Sequence, residues 1–352
     1  MIYIQSATQA ETLEDYYLKM DRLTRSIGLT RDSQRPLCLK ILAEWKEYLK
    51  FGDLCDIDGL TSHTAEMISN PVYRNIISDR FGLEHIFIDE FQDFSTIEML
   101  FLRQLVGEGR KPNQFFMVGD LNQKVFAKHH NSVHAGFNFQ GRSRNISRNY
   151  RNTRQILEAA YQIPQNYPPN SDDDVEIVKP ELSSYEAGRP IVIPCSNSNH
   201  LSLLCSLLIR RKKLRVAVLS EDNRILESIK SDAIKNGLEC YELFRNEDLD
   251  FWRKQNSDSL SASVCVSRLE AVKGLEFDTV IIAGMSAGVI PSAGTPQEEK
   301  WREAAIVYAA MTRARDELII TFEDIPSEFL ETMKDYVDYK DMREIENMLA
   351  QV

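Results

Sequence analysis

The sequence predicts an α/β protein with two parallel-sheet domains, the first one short and preceded by a helical segment. Three observations carry this. The first 80 residues read as helices. Short apolar runs then alternate with amphipathic stretches, once around "HIFIDE" and "NQFFMVGD" and again from residue 185 to 325. The length of 352 residues suits two domains.

Taken in order, residues 8–27 and 36–51 have the pattern of amphipathic helices. In the second, Leu37, Ile41, Trp45 and Leu49 recur every four residues, and Gly52 stops the helix. "DIDGLTSHTAEMISN" predicts another helix, capped by Asp58 or Thr61 and ended near Asn70-Pro71. "HIFIDE" then predicts a buried strand. "STIEMLFLRQLVGEG" predicts a helix capped by Ser95, and "NQFFMVGD" a second strand, which completes a strand–helix–strand unit. After a polar stretch, "NTRQILEAAYQI" predicts a helix and "PQNYPPNSDDD" a linker. The later strands are "PIVIPC", "RVAVLS", "ECYELF", "SVCVSR", "DTVIIAG" and "ELIITF", with helices such as "HLSLLCSLLIRR" and "NRILESIKSDAIKNG" between them. The expected organisation is a helical segment at 1–82, a partial sheet domain at 83–140, a connecting region at 141–184, a second sheet domain at 185–325 and an acidic helical tail at 326–352.

Bulk properties exclude several classes. No apolar run approaches the roughly 18–20 residues of a membrane span. The start, "MIYIQSATQAETLEDYY", has no basic opening or cleavage site, so a cytoplasmic protein is expected. Six cysteines lie scattered in apolar segments without a Cys-x-x-Cys pair, which predicts buried reduced thiols. The net charge of −11 argues against a general nucleic-acid glue but leaves room for a local basic channel. Two basic runs stand out, "RRKKLR" and "GRSRNISRNYRNTR"; the second carries Arg142, Arg144, Arg148, Arg151 and Arg154 with no acid. His129, His130 and His134 lack nearby Cys or carboxylate to complete a zinc set. No Gly-x-Gly-x-x-Gly follows a strand, which removes support for a dinucleotide enzyme.

The chemistry gathers after the first strand. An apolar strand ending in Asp89-Glu90 puts two carboxylates at the carboxyl edge of a parallel sheet, where ligands bind. Asp89 suits hydrated Mg²⁺, and Glu90 suits polarising a water. The longer string "IDEFQDFS" resembles the Walker B motif of superfamily 1 helicases of the UvrD/Rep type. "VGDLNQKVF" resembles their third motif, "SRNYRNTRQIL" the fourth, "AVKGLEFDTVIIAG" the fifth and "VYAAMTRARDELII" the sixth. All five occur in family order.

The resemblance implies two RecA-like P-loop NTPase domains that bind ATP and Mg²⁺ between them and move single-stranded DNA 3′ to 5′. It implies that Gln123 senses the γ-phosphate, Tyr150 stacks on adenine, Arg151 contacts the γ-phosphate, Glu276 bonds the ribose and Arg313 is an arginine finger. Asp120 and Gly274 share these motifs and are grouped with the nucleotide contacts. Phe126, Arg142, Arg144 and Arg148 are the candidates for touching DNA; Phe137 and Phe139 divide evenly between base stacking and core.

The sequence also departs from the family pattern. It contains no Gly-Lys dipeptide, hence no Gly-x-x-x-x-Gly-Lys-Ser/Thr phosphate loop, so weak ATP binding is expected. The resemblance then implies that the chain opens inside the first motor domain. Glu270 stands where the fifth motif usually carries His. Residues between "NYRNTRQIL" and "SVCVSR" suffice for the second domain alone, without a large inserted subdomain. Two readings follow: an ATP-dependent helicase fragment, or a relative that binds nucleic acid or protein without hydrolysis or receives its phosphate loop from a separate subunit.

Overall fold

The computed structural model describes residues 34–106, 114–123, 132–133, 135–139, 141–146, 149–168, 179–182, 184–195, 215–235, 237–243, 263–341, 343–344 and 347. These divide into two compact units. The first takes the described residues up to Asn145 together with Pro296–Arg302. The second takes Ile146–Pro168, those from 179 to 295 and those from Glu303 onward. The helices expected at 8–27 and around "HLSLLCSLLIRR" lie outside the described residues.

The described part of the first unit begins with helices α1 (Gln34–Phe51), α2 (Ile57–Ser69) and α3 (Pro71–Phe81). Helix α1 forms where expected, but its apolar row is not a buried face. Leu37, Ile41 and Trp45 are exposed, and the buried residue is Leu42. The cap of α2 is Asp56, not Asp58 or Thr61: its Oδ1 accepts the Gly59 N–H at 2.6 Å. Asp56 is the residue with extended backbone there, as an N-cap requires. Proline at the first position of α3 costs no hydrogen bond, because that N–H has no helical partner.

Strand β1 (Ile86–Ile88), helix α4 (Thr96–Leu105) and strand β2 (Phe115–Met117) form the strand–helix–strand unit. Ser95 caps α4, and Glu98 returns the bond to the Ser95 N–H at 2.7 Å, a reciprocal capping box. The strands pair in parallel, Ile86 opposite Phe115 and Ile88 opposite Met117. Phe137 and Phe139 belong to the core side of this unit. Phe137 is buried with Met99 and Ala135, edge-on to Phe115, and Phe139 packs against that cluster. Phe137 is therefore committed to the core, and Phe139 is half-buried against it.

The second unit is a seven-stranded, all-parallel sheet. Its strands are β3 (Ile191–Pro194), β4 (Val216–Leu219), β5 (Glu239–Glu242), β6 (Ser263–Ser267), β7 (Phe277–Ile282), β8 (Ala314–Phe322) and β9 (Asp338–Tyr339), in the order β5-β6-β4-β7-β8-β3-β9. The first six were expected. Among the described residues, helices α5 (Arg154–Asn166), α6 (Asn223–Lys235), α7 (Lys300–Met311, from Glu303 on) and α8 (Glu328–Thr332) belong to it. The central strands read as continuous apolar runs because both faces are covered: Val280, Ile282, Leu318 and Ile320 pack into one core cluster, and Val216, Val218 and Ile281 into another.

Within the expected acidic tail, Glu328–Thr332 is helical and is part of this core. Phe329, Leu330 and Met333 are fully buried, and β9 pairs with β3. Its frequent acids mask a periodic apolar set that the sheet recruits. Of the described cysteines, Cys195 and Cys265 are buried as expected, whereas Cys55 is exposed. No helix among the described residues is long and apolar enough to cross a membrane.

Candidate functional site

Each unit carries one group of motif residues. In the first, the chain leaves β1 through Asp89 and Glu90 into a 3₁₀ turn at Phe91–Asp93. Glu90 adopts φ 52°, ψ 43°, left-handed for a residue with a side chain, at a cost on the order of 1 kcal/mol. The turn is held by backbone bonds to the end of β2: Val118 N–H to Ile88 O at 2.8 Å and Phe91 N–H to Val118 O at 3.0 Å.

Gln92 joins the two strand ends. It is buried, donates its Nε2 to Glu90 Oε2 and accepts the Asp120 N–H on Oε1 at 3.0 Å. Asp120 in turn accepts the Asn122 N–H and, at 3.0 Å, the Nε2 of Gln123. Burial pushes the Asp120 carboxyl above its ordinary value, and the nearby Glu90 charge adds to the rise against these hydrogen bonds. Gly119 is required by close approach: a Cβ there would lie 2.2 Å from Gln92 Oε1 and 2.4 Å from a Phe91 ring carbon. Asp89 stays exposed, with Oδ1 accepting the Glu90 N–H at 2.9 Å. The structure thus brings Asp89, Glu90, Asp120 and Gln123 together. Among the DNA candidates, Arg142 and Arg144 are exposed, while Phe126 and Arg148 lie outside the described residues, as do the three histidines.

In the second unit, Tyr150 presents an exposed ring. Arg151 Nε pairs with Glu276 Oε1 at 2.6 Å, both side chains about half exposed. Gly274, at φ 79°, makes the left-handed turn that precedes Glu276 and has open space around it. Arg313 is buried, and its Nε donates to Ala309 O at 3.0 Å. The basic run is not a free cationic stripe. Arg151 is paired as described, and Arg154 pairs with Glu158 at 3.1 Å and Glu186 at 3.6 Å. Glu158, four residues on, and Glu186 and Glu276, distant in sequence, supply acids to these two arginines.

Motif reasoning missed two residues that do much of the positioning, Gln92 and Asn152. The buried Nδ2 of Asn152 donates to Thr312 O at 2.8 Å and Ala314 O at 2.6 Å. Both are carboxamides lodged between apolar strand ends. A side chain with two donors and an acceptor in such a place is the signal that could have found them.

The residues fit a nucleotide and a divalent cation in part. Asp89 offers an exposed carboxylate at a strand's carboxyl end, Tyr150 an exposed ring and Arg151 an accessible cation. The cradle for the inner phosphates does not follow from this chain, whose sequence has no Gly-Lys.

Comparison with known proteins agrees with this arrangement. Residues 4–140 match the UvrD/REP helicase N-terminal domain, and residues 242–324 match the UvrD-like helicase C-terminal domain. DNA helicase II of Haemophilus influenzae is 30% identical over 43% of this chain and 21% of its own length. The ATP-dependent DNA helicase UvrD1 of Mycobacterium tuberculosis is 28% identical over 39% of this chain and 19% of its own. A protein of Mycoplasma pneumoniae named "Probable DNA helicase" is 23% identical over 81% of this chain and 52% of its own. The matches therefore span about half the length of these relatives or less. The two domain models together take in more than half of the residues, and the chain belongs to the UvrD/Rep-type helicase family.

Proposed function

We propose that both residue groups act on ATP, and that ATP hydrolysis drives 3′-to-5′ movement on single-stranded DNA. The observation that carries this is the assembly, inside each unit, of residues from separate motifs into one connected group: Asp89, Glu90, Asp120 and Gln123 through Gln92 in the first, and Arg151, Glu276 and Arg313 in the second. The names of the relatives, ATP-dependent DNA helicase among them, support it.

The roles follow from the chemistry. Mg²⁺, when bound, would neutralise phosphate charge, with Asp89 holding it through water. Glu90 would accept a proton from the attacking water. Gln123, already oriented by Asp120, would report on the γ-phosphate. Tyr150 would stack on the base. The Arg151–Glu276 pair is half exposed, and such pairs contribute only about 0–1 kcal/mol. It would therefore part readily, giving Arg151 to the γ-phosphate and Glu276 to the ribose hydroxyls. Arg313 would meet the γ-phosphate of bound ATP and stabilise its charge in the transition state.

A second reading is favoured by one observation, the absence of Gly-Lys: the phosphate loop comes from another segment or chain, or hydrolysis is not performed. In either case this chain alone should hydrolyse ATP negligibly. A steady-state assay with single-stranded DNA that gives turnover above roughly 1 s⁻¹, within the range of ordinary enzymes, would overturn that. Nucleotide titration followed by NMR tests the assignment of Arg151: weak binding with ATP preferred over ADP, the preference reduced in Arg151→Ala. Equal binding of both nucleotides by the wild-type chain would defeat the reading. DNA binding, attributed to Arg142, Arg144 and the neighbouring arginines, should be weak and fall with salt. Fluorescence anisotropy with no salt-dependent binding would remove that part.

A further inference from the structure

We infer that Asn152 is a positioning residue that sets the place of Arg313 and couples it to Arg151; this rests on the nucleotide roles proposed above. The geometry is specific. Asn152 is 1% exposed, and its two side-chain N–H groups go to the carbonyls of Thr312 and Ala314, the residues on either side of Arg313. Its Oδ1 accepts from Asn149 Nδ2 at 3.0 Å. The carboxamide is satisfied at both ends, inside the protein.

The same Asn149 gathers the neighbouring backbone. Its Oδ1 accepts the N–H of Arg151 and of Asn152, each at 2.9 Å, so the peptide carrying Arg151 is fixed by the side chain that holds Asn152. On the other side, Arg313 O accepts the Phe277 N–H at 3.0 Å, one residue after Glu276, and Thr153 N–H donates to Arg315 O at 3.2 Å. Three chain segments far apart in sequence therefore meet on the peptides around Arg313. Asn152 is the only side chain seen bridging both flanks of it among the described residues. No other short side chain carries two donors: serine has one, and aspartate none. A shift of one segment is passed to the other two through these bonds, so the two arginines move as one body.

The discriminating experiment uses the full chain and the ratio of ATP to ADP affinity, read by NMR titration with Mg²⁺ and each nucleotide alone. Asn152→Asp keeps the shape but turns an acceptor against two carbonyl oxygens. It should reduce the ATP/ADP preference by about tenfold, the scale of a hydrogen-bonding change on this order, with ADP affinity unchanged. Loss of folding would lower both affinities together. Asn152→Ser, which retains one donor, covers the case in which the aspartate variant does not fold, and should lie between it and wild type. Amide exchange at Phe277 should quicken in either variant while Val218 in β4 keeps its rate. In an Arg313→Ala background, Asn152→Asp should cause no further loss of preference. A folded Asn152 variant with unchanged preference, or an undiminished effect without Arg313, overturns the inference. A wild-type chain that shows no preference, or keeps it in Arg313→Ala, instead defeats the nucleotide reading and the inference with it.

Discussion

The two units treat the same kind of strand in opposite ways. Phe277 in β7 is fully buried in the larger core cluster, whereas Phe87 in β1 is 76% exposed beside Phe116 at 61%, their rings 6.0 Å apart. Two described strands with an apolar face in water are marginal by themselves, and three or more with a covered face are the usual minimum. Seven parallel strands covered on both faces are self-sufficient. The consequence for function is that the motif residues of the second unit hang on a rigid sheet, through main-chain carbonyls. Those of the first depend on a side-chain network centred on Gln92.

The sharpest test of that contrast is one substitution made twice. Phe277→Ala should cost about 3–5 kcal/mol by denaturant unfolding, because it leaves a cavity in a packed core. Phe87→Ala should change stability by no more than about 0.5 kcal/mol. Equal effects would erase the distinction between the units.

Glycine replacements come next. Gly119→Ala drives a methyl into Gln92 and Phe91, and should cost roughly 1–3 kcal/mol and disorder the Glu90 turn. Gly274→Ala meets open space and bears only the left-handed backbone, about 1–2 kcal/mol. Gln92→Ala, by stranding buried partners, should cost about 1–3 kcal/mol and shift the Asp120 and Gly119 amide resonances. The electrostatic pair in the second unit is smaller still. Glu276→Gln should cost less than about 1 kcal/mol, and the difference should vanish in high salt.

The smallest effects concern pH, and they run in opposite directions. Asp120 in the first unit is raised, mainly by burial. Its folded form binds a proton more tightly than the unfolded chain does, so its contribution to stability improves as pH falls through its raised value. Asp222 in the second unit is lowered, chiefly by the Arg224 hydrogen bond. Its contribution is present above the unfolded value of 3.8 and is lost as pH falls below it through the folded value. Carboxyl NMR titration of both residues should show the two midpoints on opposite sides of 3.8; the same side for both would contradict this assignment of causes.

Much of this was legible beforehand, for local reasons. Continuous apolar runs named six strands of the second sheet, and Ser95 with Glu98 named the start of α4. The apolar runs placed Asp89 and Glu90 at the end of one strand and Asp120 and Gln123 just after another, where the structure has them. Other features depend on partners distant along the chain. Phe137 and Phe139 could be core or stacking rings until Phe115 and Met99 were seen beside them. Arg151 and Arg154 read as members of a free basic stripe until Glu276 and Glu186 were placed beside them. The strand β9 has two residues, too few for any periodicity.

The sequence by itself determined the family and the chemistry on offer. Residue types at fixed short spacings decide which side chains stand at a strand's end, and that is a local matter of backbone geometry. Only the tertiary structure decided which of those side chains are held, and by what. The carboxamides of Gln92 and Asn152 acquire their meaning from bonds that close 28 and 160 residues of chain. Buried polar groups must find partners, and no window of sequence contains the carbonyls that satisfy Asn152.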